Sequence, residues 1–298
     1  MQMSSIEFFA FVEGVNVDGF VHGMNCDRAL AAMHVSYRVS PADQLPGDGG
    51  GKTRLSSYFE FLKENSALAN EFKGKKTVVA FFMDKDLDDR IGRSIASDHV
   101  LYTDFYDVEN HVFHEGDVAR AVAAACSLPP NWCREEFGDK GSWQELAARL
   151  WCDWVRLCYA SQMLGVSKES NYGRPSPLNP VPHGPSDEII TAQFEAKSHA
   201  AARKATGGSC NSWHMRRNDV NTAYDTGRWD EVFKGKWYGP ILASHILARS
   251  PNRVDKMHLA ASLVKQVAAT MNFDSPWAIS TQGRLKKLAS SHGLGSGH

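Results

Sequence analysis

A chain of 298 residues, 43% hydrophobic and 22% charged, carries enough apolar side chain for one large folded domain or two small ones, which sets it apart from an unfolded acidic or basic tether. No apolar run approaches the ~20 residues of a membrane-spanning helix, and the opening MQMSSIEFF has neither the basic start nor the cleavage site of a secretory signal. A formal net charge of -1 argues against a protein that holds polyanions by bulk charge. The distribution is uneven: 15 basic against 23 acidic residues lie in 1-150, and 15 against seven in 190-298. That split suggests an acidic half and a basic half, the second able to hold a phosphate backbone or simply to dock on the first. Six cysteines without a C-x-x-C pair point to a reducing, cytoplasmic setting.

In chain order, Ser4 to Val12 reads as a first strand running into Glu13-Gly14. Residues 14-18 turn into a helix ending near Met33, with Asp18 placed either to cap it or to join an acidic site. His34 to Val39 alternates as a second strand. The glycine-rich stretch before Lys52-Thr53 invites a phosphate-loop reading, but the required first glycine falls on Pro46 and Asp48 would oppose a phosphate. It is read instead as a flexible loop, able to touch substrate, before a helix from Arg54 to Asn65. Thr77 to Met83, TVVAFFM, is a strand buried on both faces, and it breaks abruptly into Asp84-Lys85-Asp86 followed by Asp88 and Asp89. His99 to Thr103 is a further short strand that delivers Asp104, Asp107 and Glu109 to the same rim.

From Asp117 the pattern turns helical. Val118 to Cys126 is alanine-rich, and Ser142 to Leu164 shows three-and-four spacing with its tryptophans in the core. Asn171 to Pro185 holds five prolines and marks the best internal boundary of the helical part. Helices are then expected at Ser186 to Thr206, Asp219 to Phe233, Tyr238 to Leu247 and Lys256 to Met271, with Gly293 to His298 an unstructured end. The basic residues of this half include Lys197, Arg203, Lys204, Lys234 and Lys236; Arg216-Arg217 beside Trp213 and His214 combines cations with rings as single-stranded nucleic-acid surfaces do, although a solvated helix face explains them equally well.

Strands that end in carboxylates, Glu13 after the first and Asp84 and Asp86 after the central one, converge on one pocket if the sheet is parallel, because open α/β sheets place their sites at the carboxyl ends of strands. Grouped carboxylates repel one another unless they share a cation, and hard oxygen donors without Cys or His suit Mg²⁺, or Mn²⁺, better than zinc. Glu109 is a candidate further ligand of metal or water, against the alternative that Asp107, Glu109 and Asn110 cap the following helix. His111 and His114 lack partners at zinc spacing.

The Glu13-Gly14 pair, the Asp84-x-Asp86 motif and the segment Tyr102-Thr103-Asp104-Phe105-Tyr106-Asp107-Val108-Glu109-Asn110 resemble the Toprim family, and within it the OLD-like nucleases that include the AriB-type effectors of PARIS anti-phage defence. The likeness covers residues 5 to 115 and thins beyond, resting there on Phe233-Lys234-Gly235-Lys236-Trp237. It implies a Toprim-like parallel sheet flanked by helices in a catalytic domain spanning 1-116, with a mostly helical region over 117-298 that carries a basic surface for substrate or partner. It also implies a Mg²⁺-dependent nuclease cutting RNA such as tRNA, or DNA, with Glu13, Asp84 and Asp86 as metal ligands and catalytic groups, joined by Glu109. Lys236 is the candidate cation for the transition-state phosphate. An AriA-like ATPase partner and a homodimeric active form come with the same resemblance. Other phosphoryl-transfer chemistry and a non-catalytic metal-binding module are the alternatives.

Overall fold

In the computed structural model, residues 5-15, 17-138, 142-166, 188-207 and 211-295 are described. The elements run β1 Phe8–Val12, α1 Val17–Leu30, β2 Tyr37–Pro41, α2 Gly51–Glu64, β3 Ala69–Phe72, β4 Lys75–Met83, β5 Val100–Tyr102, α3 Val108–Glu115, α4 Val118–Cys126, α5 Pro130–Phe137 and α6 Ser142–Leu150. They continue with α7 Cys152–Met163, α8 Glu188–Ala205, α9 Asn211–Asp225, α10 Tyr238–Arg249, α11 Leu259–Ala269 and α12 Pro276–Ser291, and short 3-10 turns join several of them. The proline-rich stretch 171-185 lies outside the described residues. Among the described residues no helix is long and apolar enough to cross a membrane, and none of the five described cysteines forms a disulfide.

The chain divides into two compact units, each assembled from more than one stretch of sequence. The first contains the chain up to Lys85, then Ser94–Asp104 and Met271–His298; the second contains Asp86–Arg93 and Phe105–Thr270.

The first unit is an α/β sheet packed on both faces. β2, β1 and β4 lie side by side in parallel, and the far edge of β4 is shared by antiparallel β3 at its start and parallel β5 at its end. Side chains alternate across a pleated strand. Phe8, Ala10, Val12, Val78, Ala80 and Phe82 therefore face one way, against Cys26, Ala29 and Leu30 of α1 and Leu285, Leu288 and Ala289 of α12. Phe11, Val79, Phe81 and Met83 face the other way, against Leu55, Phe59 and Leu62 of α2. That two-sided burial is why β4 reads as an unbroken apolar run. α12 was not anticipated at all; it returns from the end of the chain because α1 alone does not cover its face, and Leu294 continues the same core beyond it. The order therefore extends into the expected unstructured end, as far as residue 295. β3 was also missed: it is a four-residue, mostly exposed edge strand turned into β4 through Lys73-Gly74, both at positive φ.

The second unit is helical. The single helix expected over Ser142 to Leu164 is two, α6 and α7, separated at Trp151, whose ψ of 7° departs from the helical value. Trp143, Trp151 and Trp154 are buried, as the spacing requires. The helix expected over Asp219 to Phe233 begins earlier and ends at Asp225, leaving a 3-10 turn over Trp229–Glu231.

Candidate functional site at the carboxyl ends of β1 and β4

From β1 the chain leaves through α1 to β2 on one side, whereas β4 lies on the other, so the carboxyl ends of β1 and β4 flank the point where the strand order reverses. This is where open α/β sheets hold ligands, since the loops diverge and leave a crevice. Val12 is in register with Phe82, which brings Glu13 to the end of β4. The Glu13 carboxylate accepts the backbone N–H of Asp84 through Oε1 at 2.9 Å. Asp84 is almost fully enclosed, 2% exposed. The turn that carries it is clamped from β5: Thr103 donates its N–H to the Met83 carbonyl at 3.1 Å, and its hydroxyl oxygen accepts the Lys85 N–H at 2.8 Å. The Lys85 ammonium reaches the Asp104 carbonyl at 3.3 Å.

Asp18 is the second residue of α1, inside its first turn and not at the cap position, which lies outside the described residues. Its carboxylate rests over Gly14, 2.5 Å from where a Cβ would stand, and the side chain is buried. A carboxylate is favoured there by the helix's positive end.

The glycine-rich stretch, set aside as a phosphate loop in the sequence, comes to this crevice. α2 starts at Gly51, three residues before the expected Arg54, and packs so closely on β1 that a Cβ on Gly51 would lie 2.4 Å from the Glu13 carbonyl oxygen. The next residue, half-buried Lys52, donates its ammonium to the Asp84 carbonyl at 2.5 Å and stands 6.0 Å from the centre of the Tyr102 ring. Lys52 is the residue of this crevice that the sequence reading left without a role. Its signal was the Gly51-Lys52 pair itself, discounted because the Walker spacing fails.

Three other candidates, Asp86, Glu109 and Lys236, belong to the second unit. Asp86 takes the left-handed conformation, φ 47°, and donates its N–H to the Tyr106 carbonyl at 2.7 Å. Asp107 and Asn110 form a reciprocal cap of α3: Asp107 Oδ1 accepts the Asn110 N–H and Asn110 Oδ1 accepts the Asp107 N–H. Asp107 Oδ2 accepts the Lys236 N–H at 3.2 Å, and Asn110 also accepts from Gly235 and donates to Asp230 Oδ1 and the Phe233 carbonyl. The two segments that carried the resemblance beyond the strands, Asp107–Asn110 and Phe233–Trp237, thus pack together through buried polar bonds. Tyr238 donates to the same Asp230 oxygen at 3.0 Å, and burial beside that carboxylate pushes its hydroxyl well above the usual tyrosine range. Glu109 lies in the first turn of α3, and the Lys236 side chain is exposed.

The expected ring-and-cation surface does not form as drawn. Trp213 is 2% exposed and sits in the core, where it cannot stack on a base, while Arg217 pairs with Glu195 and Arg216 with Asp219.

Among the described residues no three His, Cys, Asp or Glu side chains come together as a ready-made metal cage. Magnesium does not require one: it binds through one or two carboxylates and completes its shell with waters and substrate phosphates. Glu13 and Asp84, neighbours at the ends of β1 and β4 through the bond from the Asp84 amide to the Glu13 carboxylate, are the residues that would hold an ion in that mode. Comparison of the chain with protein-family models, with curated proteins and with solved structures finds no match.

Proposed function

We propose that this protein is a Mg²⁺-dependent phosphodiester hydrolase, a nuclease working at the crevice between the carboxyl ends of β1 and β4. One observation carries the reading: Glu13 reaches across the strand-order reversal to the backbone amide of Asp84, so two acidic residues 71 apart in the chain stand side by side at adjoining strand ends. A divalent ion held there would polarise the scissile phosphate and lower the pKa of an attacking water. Glu13 and Asp84 would hold that charge, with Glu13 held in place by its bond to the strand end. The Thr103 and Lys85 contacts keep the Asp84 turn from relaxing when substrate arrives. The reading does not depend on Asp86, Glu109 or Lys236.

The motif resemblance extends the proposal to an anti-phage effector that cleaves RNA, tRNA included, restrained by an ATPase partner and active as a homodimer. A second reading is a non-catalytic module that holds an ion or a protein on its carboxylates.

The two separate on one assay. Purified protein is incubated with tRNA, single-stranded DNA and duplex DNA in Mg²⁺, Mn²⁺ or chelator. Cleavage that needs the metal and is lost in Asp84→Asn supports the nuclease, and sequencing the product ends names the substrate. Metal-dependent binding without cleavage of any of the three sinks it in favour of the second reading.

A further inference from the structure

We infer that a cavity at the amino end of β4, between the β3–β4 turn and the loop that follows α12, binds the polyphosphate part of a small phosphorylated molecule such as a nucleoside triphosphate. The inference does not rest on the nuclease reading. Lys76 precedes Met83 by seven residues of β4, so the cavity lies about 23 Å from the carboxylate crevice at the other end of the same strand.

The cavity has a volume of about 500 Å³ and belongs wholly to the first unit. Lys73, Lys75 and Lys76 line it, against one carboxylate, Glu7. Glu7 is tied to the wall, where its Oε2 accepts the Ser36 N–H at 2.9 Å and the Ser36 hydroxyl at 3.0 Å. Lys76 stands two residues before Val78 and so shares the sheet face that α1 and α12 cover. Its ammonium comes to rest beyond the end of α12 against Gly293, where a Cβ would lie 2.5 Å from Nζ. The missing side chain at 293 is thus the space that the charge occupies. Lys73 is exposed, and its ammonium stands 5.5 Å from the centre of the Phe72 ring, a contact that orients a cation without neutralising it. Glu71, opposite Lys76 in the ladder, lines the smaller neighbouring cavity and is not among the residues lining this one.

The walls are formed before any ligand arrives, which lowers the ordering cost of binding. Leu294 is buried in the core of the sheet, and the N–H groups of Gly293 and Leu294 bond to the carbonyls of Ser290 at 2.9 Å and Ala289 at 3.0 Å. Across the cavity, the His34 N–H holds the Ala31 carbonyl at 3.0 Å. Lysines act on phosphate as compact point charges, and a chain of phosphates meets several of them at once. No Phe, Tyr or Trp lines the cavity among the described residues, so recognition falls on the phosphates and not on a base.

The experiment uses the full chain and calorimetric titration in chelator, so that no divalent ion bridges a probe to the crevice. The probes are tripolyphosphate, ATP, GTP, AMP and adenosine, with a single-stranded DNA oligonucleotide alongside. Lys73→Gln, Lys76→Gln and their double variant are compared with Lys63→Gln/Lys265→Gln, which removes the same charge elsewhere, and thermal unfolding is recorded for all. Tripolyphosphate, ATP and GTP are expected to bind alike, AMP about tenfold or more weaker, and adenosine not at all. Each cavity substitution should raise Kd about tenfold, from the loss of one charge-assisted contact, and the double variant about 100-fold, with unfolding temperatures near the parent's. The control pair should bind as the parent does.

A parent that does not bind tripolyphosphate overturns the assignment, as does a double variant that binds it unchanged. Equal loss in the control pair reduces the effect to bulk charge and also overturns it, and a loss that tracks a fall in unfolding temperature makes the lysines structural. If only the oligonucleotide depends on Lys73 and Lys76, the cavity seats a strand and the small-ligand assignment falls.

Discussion

At the end of β4, Glu13 meets the Asp84 amide in a crevice left by diverging strands, while at the start of α3 the carboxylate of Asp107 has an N–H on each oxygen and Asn110 bonds on both sides of its amide. In sequence these are two short acidic motifs after two strands. The difference lies in what closes over them. Gly235 packs against Asp107 and Asn110 so tightly that the polar groups face protein, which makes them part of the frame. Glu13 and Asp84 stand at the carboxyl ends of β1 and β4, where open α/β sheets hold their ligands.

That contrast breaks most visibly at Gly235 and Asn110. A Cβ at position 235 would stand 2.3 Å from Asp107 Oδ1 and 2.4 Å from the Asn110 nitrogen, and neither can retreat. Gly235→Ala is expected to cost about 3-4 kcal/mol, and Asn110→Ala about 3 kcal/mol, because several buried polar groups lose partners together. Urea midpoints measure both; losses below about 1 kcal/mol would mean the network is not structural. On the other side of the comparison, Glu13→Gln keeps an oxygen that accepts the Asp84 N–H and removes only charge. Cleavage should fall about 100-fold, worth about 2.7 kcal/mol of barrier, with stability changed by less than about 1 kcal/mol. Equal damage to folding would erase the distinction between the two motifs.

A pH scan sharpens the sheet side. His22 of α1 is buried against Phe82 with its rings 4.1 Å apart, and its Nδ1 has no hydrogen-bond partner, so burial lowers its pKa from 6.5 to about 3. Its folded pKa lies below its unfolded one, so between pH 6.5 and 3 the unfolded chain binds the extra proton and stability falls as pH falls. The loss attributable to His22 is about 2 kcal/mol at pH 5, absent above 6.5 and complete near 3. His22→Phe should remove that component from the difference between pH 7 and pH 5 unfolding curves. The smallest effect is at Asp274, a mostly exposed carboxylate paired with Arg28 at 2.5 Å. Asp274→Ala should change stability by no more than about 0.5 kcal/mol, since solvent screens such pairs. A larger change would show that surface carboxylates here are not the neutral baseline assumed for the other two.

Much of the first unit was legible. An apolar run like TVVAFFM has few other ways to bury both faces than as an interior parallel strand, and its acidic ending marks the strand's end. The placement of Glu13 and Asp84 directly after β1 and β4 was legible for the same reason. Lys52 was not, because a loop residue's position depends on how its helix packs and not on the local pattern. α12 was not anticipated, and its place against α1 and the sheet is set by long-range packing of Leu285, Leu288 and Ala289. Arg216-Arg217 misled in the opposite direction: Trp213 beside them looks like a surface ring in sequence and is a core residue in space.

The amino-acid sequence by itself determined β1 and β4, their two-sided burial and the acidic residues that follow them, because alternation and charge are local properties that the chain carries before it folds. Only the tertiary structure decided that α12 closes the sheet, that Lys52 joins Glu13 and Asp84, and that Asp107 and Asn110 are spent on holding α3 and the Gly235 turn together. Those outcomes depend on which distant backbones approach within a few ångströms, and a one-dimensional pattern does not encode that distance.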